Sequence, residues 1–402
     1  MRRYGMGRAT AEDQRRSALM NIPIAARQRN ESAALDALLD EIRCRRDEFE
    51  KLTYVPLDIV EKLQQVGVYR AFVPREFGGD ALSPMSFLRL VEALSTADAS
   101  TGWVASFGVS STYLAALPPE TFAKIYADNP DTVFAGSIFP PQQAVRTDGG
   151  FKVAGRWPYC SGCMGASLIG AGIRSDEGNA GGLPRMAVMP RKQVAIKHTW
   201  ETVGLAATGS HDIVVEDVFV PEEWTFVRGS KAQRDDAIFR YPSMALAAQV
   251  LAVVGLGTAR EALDWIHAEA LSGPSITGAP SIGMRPYIQA ELGRAEAQLR
   301  GARAFFYETT EEVWEAVNRG DEISPQMRVR LRLCATNAAN EGAAVAQAAF
   351  RMGGASAINR GHVLVRCLLD SAAVAQHAFL GIGTWTSAGA GLLAQAVPPG
   401  FP

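Results

Sequence analysis

Nine residues between Ile288 and Ala316 (Ile288, Leu292, Ala295, Leu299, Ala302, Phe306, Thr309, Val313 and Ala316) step by alternating four and three positions. This spacing puts one apolar seam along a single long helix and holds it for about four heptads. Such a helix must lay its seam against other helices. A second helix through Leu331, Cys334, Ala338, Val345, Ala349 and Met352 supplies one partner, and its alanine and glycine content implies close approach. The pattern stays helical from Pro242 onward, so a four-helix bundle is expected over 241–402.

Upstream the signals differ. A helical region is expected over 31–130, where Ile59, Leu63 and Val66 recur at i, i+4, i+7 and Phe87, Val91 and Leu94 follow the same rhythm after the Phe77-Gly78-Gly79 break. Thr101–Leu117 reads as one further apolar helix, with Trp103 and Phe107 at i, i+4 and a polar patch at Ser110, Ser111 and Thr112. Those hydroxyls either line a cavity or bond their own i−4 carbonyls. Around Thr132 the period changes to two. Short runs at Thr132–Ala135, Phe151–Trp157, Ser167–Arg174, Met186–Met189, Val194–His198 and Asp212–Val220, parted by Gly, Pro and Asp turns, read as an antiparallel β-domain over 131–240. Residues 1–30 read as an Arg-rich tail that carries Glu12 and Asp13 and lacks the apolar core of a signal peptide. The expected fold is mainly α with a central antiparallel β-domain: a helical N-terminal domain, a β-barrel or sandwich in the middle, and the bundle.

Within the β-region, Phe151 to Cys163 (FKVAGRWPYCSGC) reads as a hairpin arm turning at Asp148, Gly149 and Gly150. Pro158 is expected to stop its ladder. Trp157 and Tyr159 offer ring faces, Ser161 a hydroxyl and Gly162 close backbone approach, a combination suited to a flat ligand. The same aromatics would also serve to fill a sheet face. Cys160 and Cys163 have CxxC spacing, but no second CxxC or histidine pair accompanies them to complete a zinc site.

Composition narrows the partners. Lys+Arg 40 against Asp+Glu 42 leaves a formal charge of −2, which gathers neither nucleic acid nor anionic lipid. The most apolar run, Met244–Gly257, falls short of the roughly 20 residues of a membrane span. Five cysteines, an odd number, fit free thiols in a reducing cytoplasm.

Three motifs in this helical, β, helical order carry a resemblance: Gly155–Cys163; Trp200 followed by GLAATGSHDIVVEDVFVPEEW at Gly204–Trp224; and Arg366-Cys-Leu-Leu-Asp370 with His377 in AVAQHAF. Together they resemble the acyl-CoA dehydrogenase superfold. More narrowly, they are similar to the oxygenase components of two-component flavin-dependent monooxygenases, the group of 4-hydroxyphenylacetate hydroxylase and dibenzothiophene monooxygenase. The resemblance implies that reduced FMN or FAD arrives from a flavin reductase and reacts with O2 to a C4a-hydroperoxide. That species then hydroxylates a small aromatic or heteroaromatic substrate. It also implies a homotetramer and no metal.

Residue by residue, the resemblance places Ser161 near flavin N5 and His377 as the catalytic histidine. Trp157, Tyr159, Ser137, Trp200, Thr208 and Ser210 would contact the flavin. Arg285, heading the long bundle helix, is either a phosphate ligand or a surface arginine. Trp103, Phe107, Ser110, Ser111 and Tyr113 would face the substrate. On an ideal helix Arg366, Asp370 and His377 share one face, within about 40° of arc. Asp370 and His377 are two turns apart, so another element must orient the imidazole. The other histidines, His198 and His211 at strand edges and His267 and His362 near helix ends, are expected to face solvent or cap.

The alternative is an acyl-CoA dehydrogenase with tightly held FAD, which needs a carboxylate to abstract an α-proton. From Gly353 to Pro402 Asp370 is the only acid, and Ser243–Arg260 holds none. Some phenol hydroxylases of the group carry a further histidine on the helix after Gly-Trp. No histidine precedes His198 here, which favours a heteroaromatic, indole-like or heteroatom-bearing substrate over a phenol needing deprotonation.

Overall fold

The computed structural model describes residues 24–174, 183–272, 280–398 and 401. The chain opens with helices α1 (Ile24–Leu52), α2 (Leu57–Gln65), α3 (Pro84–Ala97), α4 (Ala99–Ala105), α5 (Ser111–Leu114) and α6 (Pro119–Tyr126). The helix expected over Thr101–Leu117 is broken: a 3-10 turn, Ser106–Ser110, separates α4 from α5. The hydroxyls explain the tightening. Ser106 donates to Trp103 O at 2.7 Å, Ser110 to Phe107 O, and Thr112 to Val109 O at 2.8 Å, all three residues back rather than four. Gly108 sits in this turn because a Cβ there would stand 2.2 Å from Val68 O.

Two four-stranded sheets follow. One orders β1 (Phe134–Gln143), β4 (Leu168–Arg174), β5 (Arg185–Pro190) and β8 (Thr225–Val227). The other orders β2 (Val145–Thr147), β3 (Gly150–Cys160), β7 (His211–Pro221) and β6 (Ala195–Lys197). The second is antiparallel throughout. The first is mixed, correcting the purely antiparallel expectation, because β1 and β4 run parallel with Phe134 beside Leu168 and Ser137 beside Ala171. The connection between them carries the whole β2–β3 hairpin, and a crossover of that length permits parallel pairing.

The C-terminal part holds α7 (Ala237–Arg240), α8 (Ser243–Ala270), α9 (Pro286–Arg319), α10 (Pro325–Met352), α11 (Val363–Gln376) and α12 (Gly383–Leu392). On α9 every seam position is buried except Leu292, which is half-buried, and all six named positions of α10 are buried. Helix α8 has the length and apolarity of a membrane span, yet 89% of that window is buried inside the protein, so it is the bundle's core helix. The N-terminal helices dock on the bundle through Glu92 of α3, which receives Arg303 Nε at 2.7 Å and Tyr307 Oη at 2.7 Å from α9.

Candidate active site

The ladder of β3 and β7 slips between Trp157, opposite Ile213, and Cys160, opposite His211. Pro158 has no N–H to give the ladder and sits inside this slip, so β3 runs on to Cys160 while its pairing breaks. Tyr159 turns through φ 59°. The consequence is that neighbouring aromatics face opposite ways. Trp157 is fully buried and donates Nε1–H to Gly172 O at 2.8 Å. Its expected role as a ring face for a ligand is therefore corrected: it pins the two sheets together. Tyr159 is 70% exposed, and its ring meets the Trp200 ring edge-on, centroids 6.1 Å apart.

Beside that pair runs a chain of buried hydroxyls. Ser161 Oγ lies 2.6 Å from Ser210 Oγ, Ser210 Oγ lies 2.6 Å from Thr208 Oγ1, and Thr208 donates to Leu205 O at 3.0 Å. A carbonyl only accepts, so it sets the direction of the row: Thr208 gives its proton to Leu205 O, Ser210 to Thr208, and Ser161 to Ser210. Ser161 is left with lone pairs and presents an acceptor. Ser137, from β1, donates to Pro158 O at 2.6 Å and secures the slip.

The segment from Trp200 to Ser210 that carries this chain is held by several hydrogen bonds. His211 Nδ1 accepts the N–H groups of Thr199 (3.2 Å) and Trp200 (3.1 Å), so His211 is a buried anchor and not the solvent-facing strand edge expected. Trp200 Nε1–H goes to Leu205 O at 3.0 Å, and Ala207 N–H to Ser100 Oγ of α4 at 3.2 Å. Leu205, at φ 51°, gives its N–H to Asp370 Oδ1 at 2.6 Å. Gly204 makes this reach possible, since a Cβ there would stand 2.2 Å from Leu369 O. Burial, reinforced by the nearby Asp98, pushes the Asp370 carboxyl up to about 7.

Helix α11 ends at Gln376, and His377 caps it with extended backbone (φ −61°, ψ 140°). The shared helical face expected for Arg366, Asp370 and His377 therefore does not form. Arg366 instead pairs with Asp47 and Glu50 of α1. Among the described residues no second element orients the imidazole by a hydrogen bond: its Nδ1 accepts Phe379 N–H at 3.2 Å, within its own turn. The proton then resides on Nε2. The rings of Trp103 (5.5 Å) and Phe379 (5.2 Å) pack edge-on against it, and burial, with Arg332 nearby, pushes its pKa down to about 4. His377 is a neutral donor.

The segment Trp103–Tyr113 closes this region. Phe107 lies beside Gly162, 3.6 Å from where a Cβ would stand. Ser110 also reaches Phe134 O at 3.3 Å, and Ser111 Oγ is buried with no partner among the described residues. Tyr113 carries the Arg228 guanidinium 3.5 Å above its ring. The structure thus gathers Trp103, Phe107, Ser161 and His377 around one region and brings Tyr159, Trp200, Thr208 and Ser210 beside it. It does not bring Arg285, which bonds Pro280 O and Tyr287 Oη at the head of α9. Leu205 and Arg228, and the contact that Asp370 makes, escaped sequence reasoning, since the partners lie far away in the chain. The lone acid after Gly353 was the one visible clue.

A flavin fits what is present. The exposed ring of Tyr159 and the half-buried ring of Trp200 offer an aromatic surface, and Ser161 offers an acceptor to a ring N–H. Asp370, closed off beneath Leu205, offers no base to a substrate carbon. The chain matches the family models "Acyl-CoA dehydrogenase, N-terminal domain" over residues 28–119 and "Acyl-CoA dehydrogenase, C-terminal domain" over residues 249–381. Fold and family models together define a protein of the acyl-CoA dehydrogenase-like class. The chain is 50% identical over 370 residues to the indole-3-acetate monooxygenase of Pseudomonas putida, covering 92% of this chain and 95% of that one. It is 32% identical over 281 residues (65% and 68%) to the oxygenase component of an FADH2-dependent resorcinol hydroxylase from a Rhizobium strain. Among solved structures, 3-HSA hydroxylase from Rhodococcus sp. RHA1 superposes with a TM-score of 0.85 at 25% identity, covering 92% of this chain and 98% of that one. The chain belongs to the oxygenase components of two-component flavin-dependent monooxygenases. It hydroxylates an aromatic substrate with O2 and a reduced flavin, FMN or FAD, delivered by a partner reductase.

Proposed function

We propose that the substrate is an indole-type aromatic acid, indole-3-acetate or a close analogue. The carrying observation is the 50% identity, sustained over nearly the whole of both chains, with an indole-3-acetate monooxygenase. Bound reduced flavin supplies the electrons that activate O2. Tyr159 and Trp200 hold the ring system, and Ser161, its own proton turned toward Ser210, accepts from the flavin edge. His377 donates through Nε2 where oxygen is transferred, and Trp103 and Phe107 exclude water. The protein works in the cytoplasm as a homotetramer. Its described cysteines are all free, and Ile382, Leu392 and Leu393 near the C-terminus are exposed apolar side chains that other copies would cover. The test supplies a flavin reductase, NADH, FMN or FAD, and indole-3-acetate, and follows oxygenated product by mass spectrometry. NADH-dependent product supports the reading; consumption of NADH and O2 with H2O2 as the sole product overturns it.

A further inference from the structure

Arg228, which follows β8, is only 6% exposed, and among the described residues no carboxylate pairs with it. Its guanidinium is stacked on Tyr113, whose phenol proton is held by burial against the pull of that same cation. A buried charge without a counter-charge is costly, and the cost is relieved when an anion arrives. The surroundings place this cation at one end of the region that ends at His377. Gly229 packs on Met244 of α8 (3.4 Å from where a Cβ would stand), Met244 O accepts Arg332 Nη1 at 3.4 Å, and Arg332 lies 5.2 Å over Phe379, beside His377. The same two ends are joined by the segment Trp103–Tyr113, with Trp103 against His377 and Tyr113 beneath Arg228. Ten residues, half of them in the 3-10 turn Ser106–Ser110, span about 17 Å, a separation that a two-ring acid and the side chains at either end can bridge. Between them lies the unpartnered hydroxyl of Ser111.

We infer that Arg228 is the anchor for the carboxylate of the substrate, held flat by Tyr113, and that it sets the preference for aromatic acids over neutral aromatics. A guanidinium fork matches a carboxylate in two parallel hydrogen bonds, and stacking on Tyr113 pre-organises it. The inference rests on the aromatic-acid reading above and adds the residue that selects the acid.

The test compares kcat/KM for indole-3-acetate and for neutral 3-methylindole, with reductase-supplied flavin, in the wild type, Arg228→Met and Arg228→Lys. Breaking a desolvated charge pair in a complex lowers affinity by about 30-fold or more. The acid-to-neutral ratio should therefore fall by at least about 30-fold in Arg228→Met, and by less in Arg228→Lys, which keeps the charge and loses the fork. Arg228→Met should melt no lower than the wild type, because it removes a buried charge that no carboxylate among the described residues pairs with. A ratio within threefold of wild type in both variants, or equal losses for acid and neutral compound, would overturn the anchor while leaving the substrate reading intact. A wild type that turns over 3-methylindole but never the acid would overturn both.

Discussion

Asp370 Oδ1 accepts the N–H of Leu205 at 2.6 Å across 165 positions of sequence, and through that one contact helix α11 holds the segment that carries Thr208 and Ser210. The carboxyl is buried and its pKa lies about 7 in the folded protein against an ordinary 3.8. Between those values the folded chain keeps a proton that the unfolded chain has lost, so this group's contribution to stability falls as pH rises through the window. Asp370→Asn removes the titration. Relative to wild type, the variant should gain stability from pH 4 to pH 8, by at most about 4 kcal/mol. Denaturant melts at several pH values check this, and a gap that does not change with pH would contradict it.

Ser161 is an acceptor because the row of hydroxyls ends on Leu205 O. Ser161→Ala removes that acceptor and should shift turnover from hydroxylated product toward H2O2 by about tenfold, the worth of one hydrogen bond to a polar group. Thr208→Val, which breaks the row farther back, should uncouple less. Product and peroxide counted per NADH give both numbers; unchanged coupling in Ser161→Ala would refute the assignment.

For His377 the expected signature lies in the pH profile. Its pKa is pushed down to about 4 by burial and the nearby Arg332, so it is neutral throughout the working range and its titration should leave kcat flat from about pH 6 to about pH 8. His377→Ala should lower hydroxylation about 100-fold, with Gln, which retains an N–H donor, recovering part of the loss. A kcat that rises or falls with an apparent pKa near 6.5 and loses that dependence in the alanine variant would show the imidazole to be charged in use.

Trp157 and Tyr159 are two residues apart and should behave oppositely. Trp157→Ala should cost about 3–5 kcal/mol of stability, since its ring is buried and its N–H engaged, while the folded fraction binds flavin normally. Tyr159→Ala, at an exposed position, should melt near wild type yet bind reduced flavin several-fold more weakly. Calorimetry and flavin titration on both variants separate the roles.

The bundle was legible in the sequence because a seam at alternating four and three is a local pattern, and nearly all of its positions on α9 are buried. The hairpin was legible for the same reason. The direction of the aromatics was not: alternation along the strand is broken by the slip at Pro158, and that slip depends on pairing with β7. Likewise the face shared by Arg366, Asp370 and His377 assumed a helix that continues, whereas α11 stops one residue short of the histidine. Arg228 meets Tyr113 across more than a hundred positions, and no local pattern reports such a contact.

The most direct test of the central claim uses labelled oxygen. With reductase, NADH, flavin and indole-3-acetate under ¹⁸O2, the product should carry ¹⁸O from the gas, and under unlabelled O2 in H2¹⁸O the newly inserted oxygen should be unlabelled. An enzyme that purifies with bound flavin, bleaches on addition of an acyl-CoA and puts no gaseous oxygen into any aromatic would contradict the account.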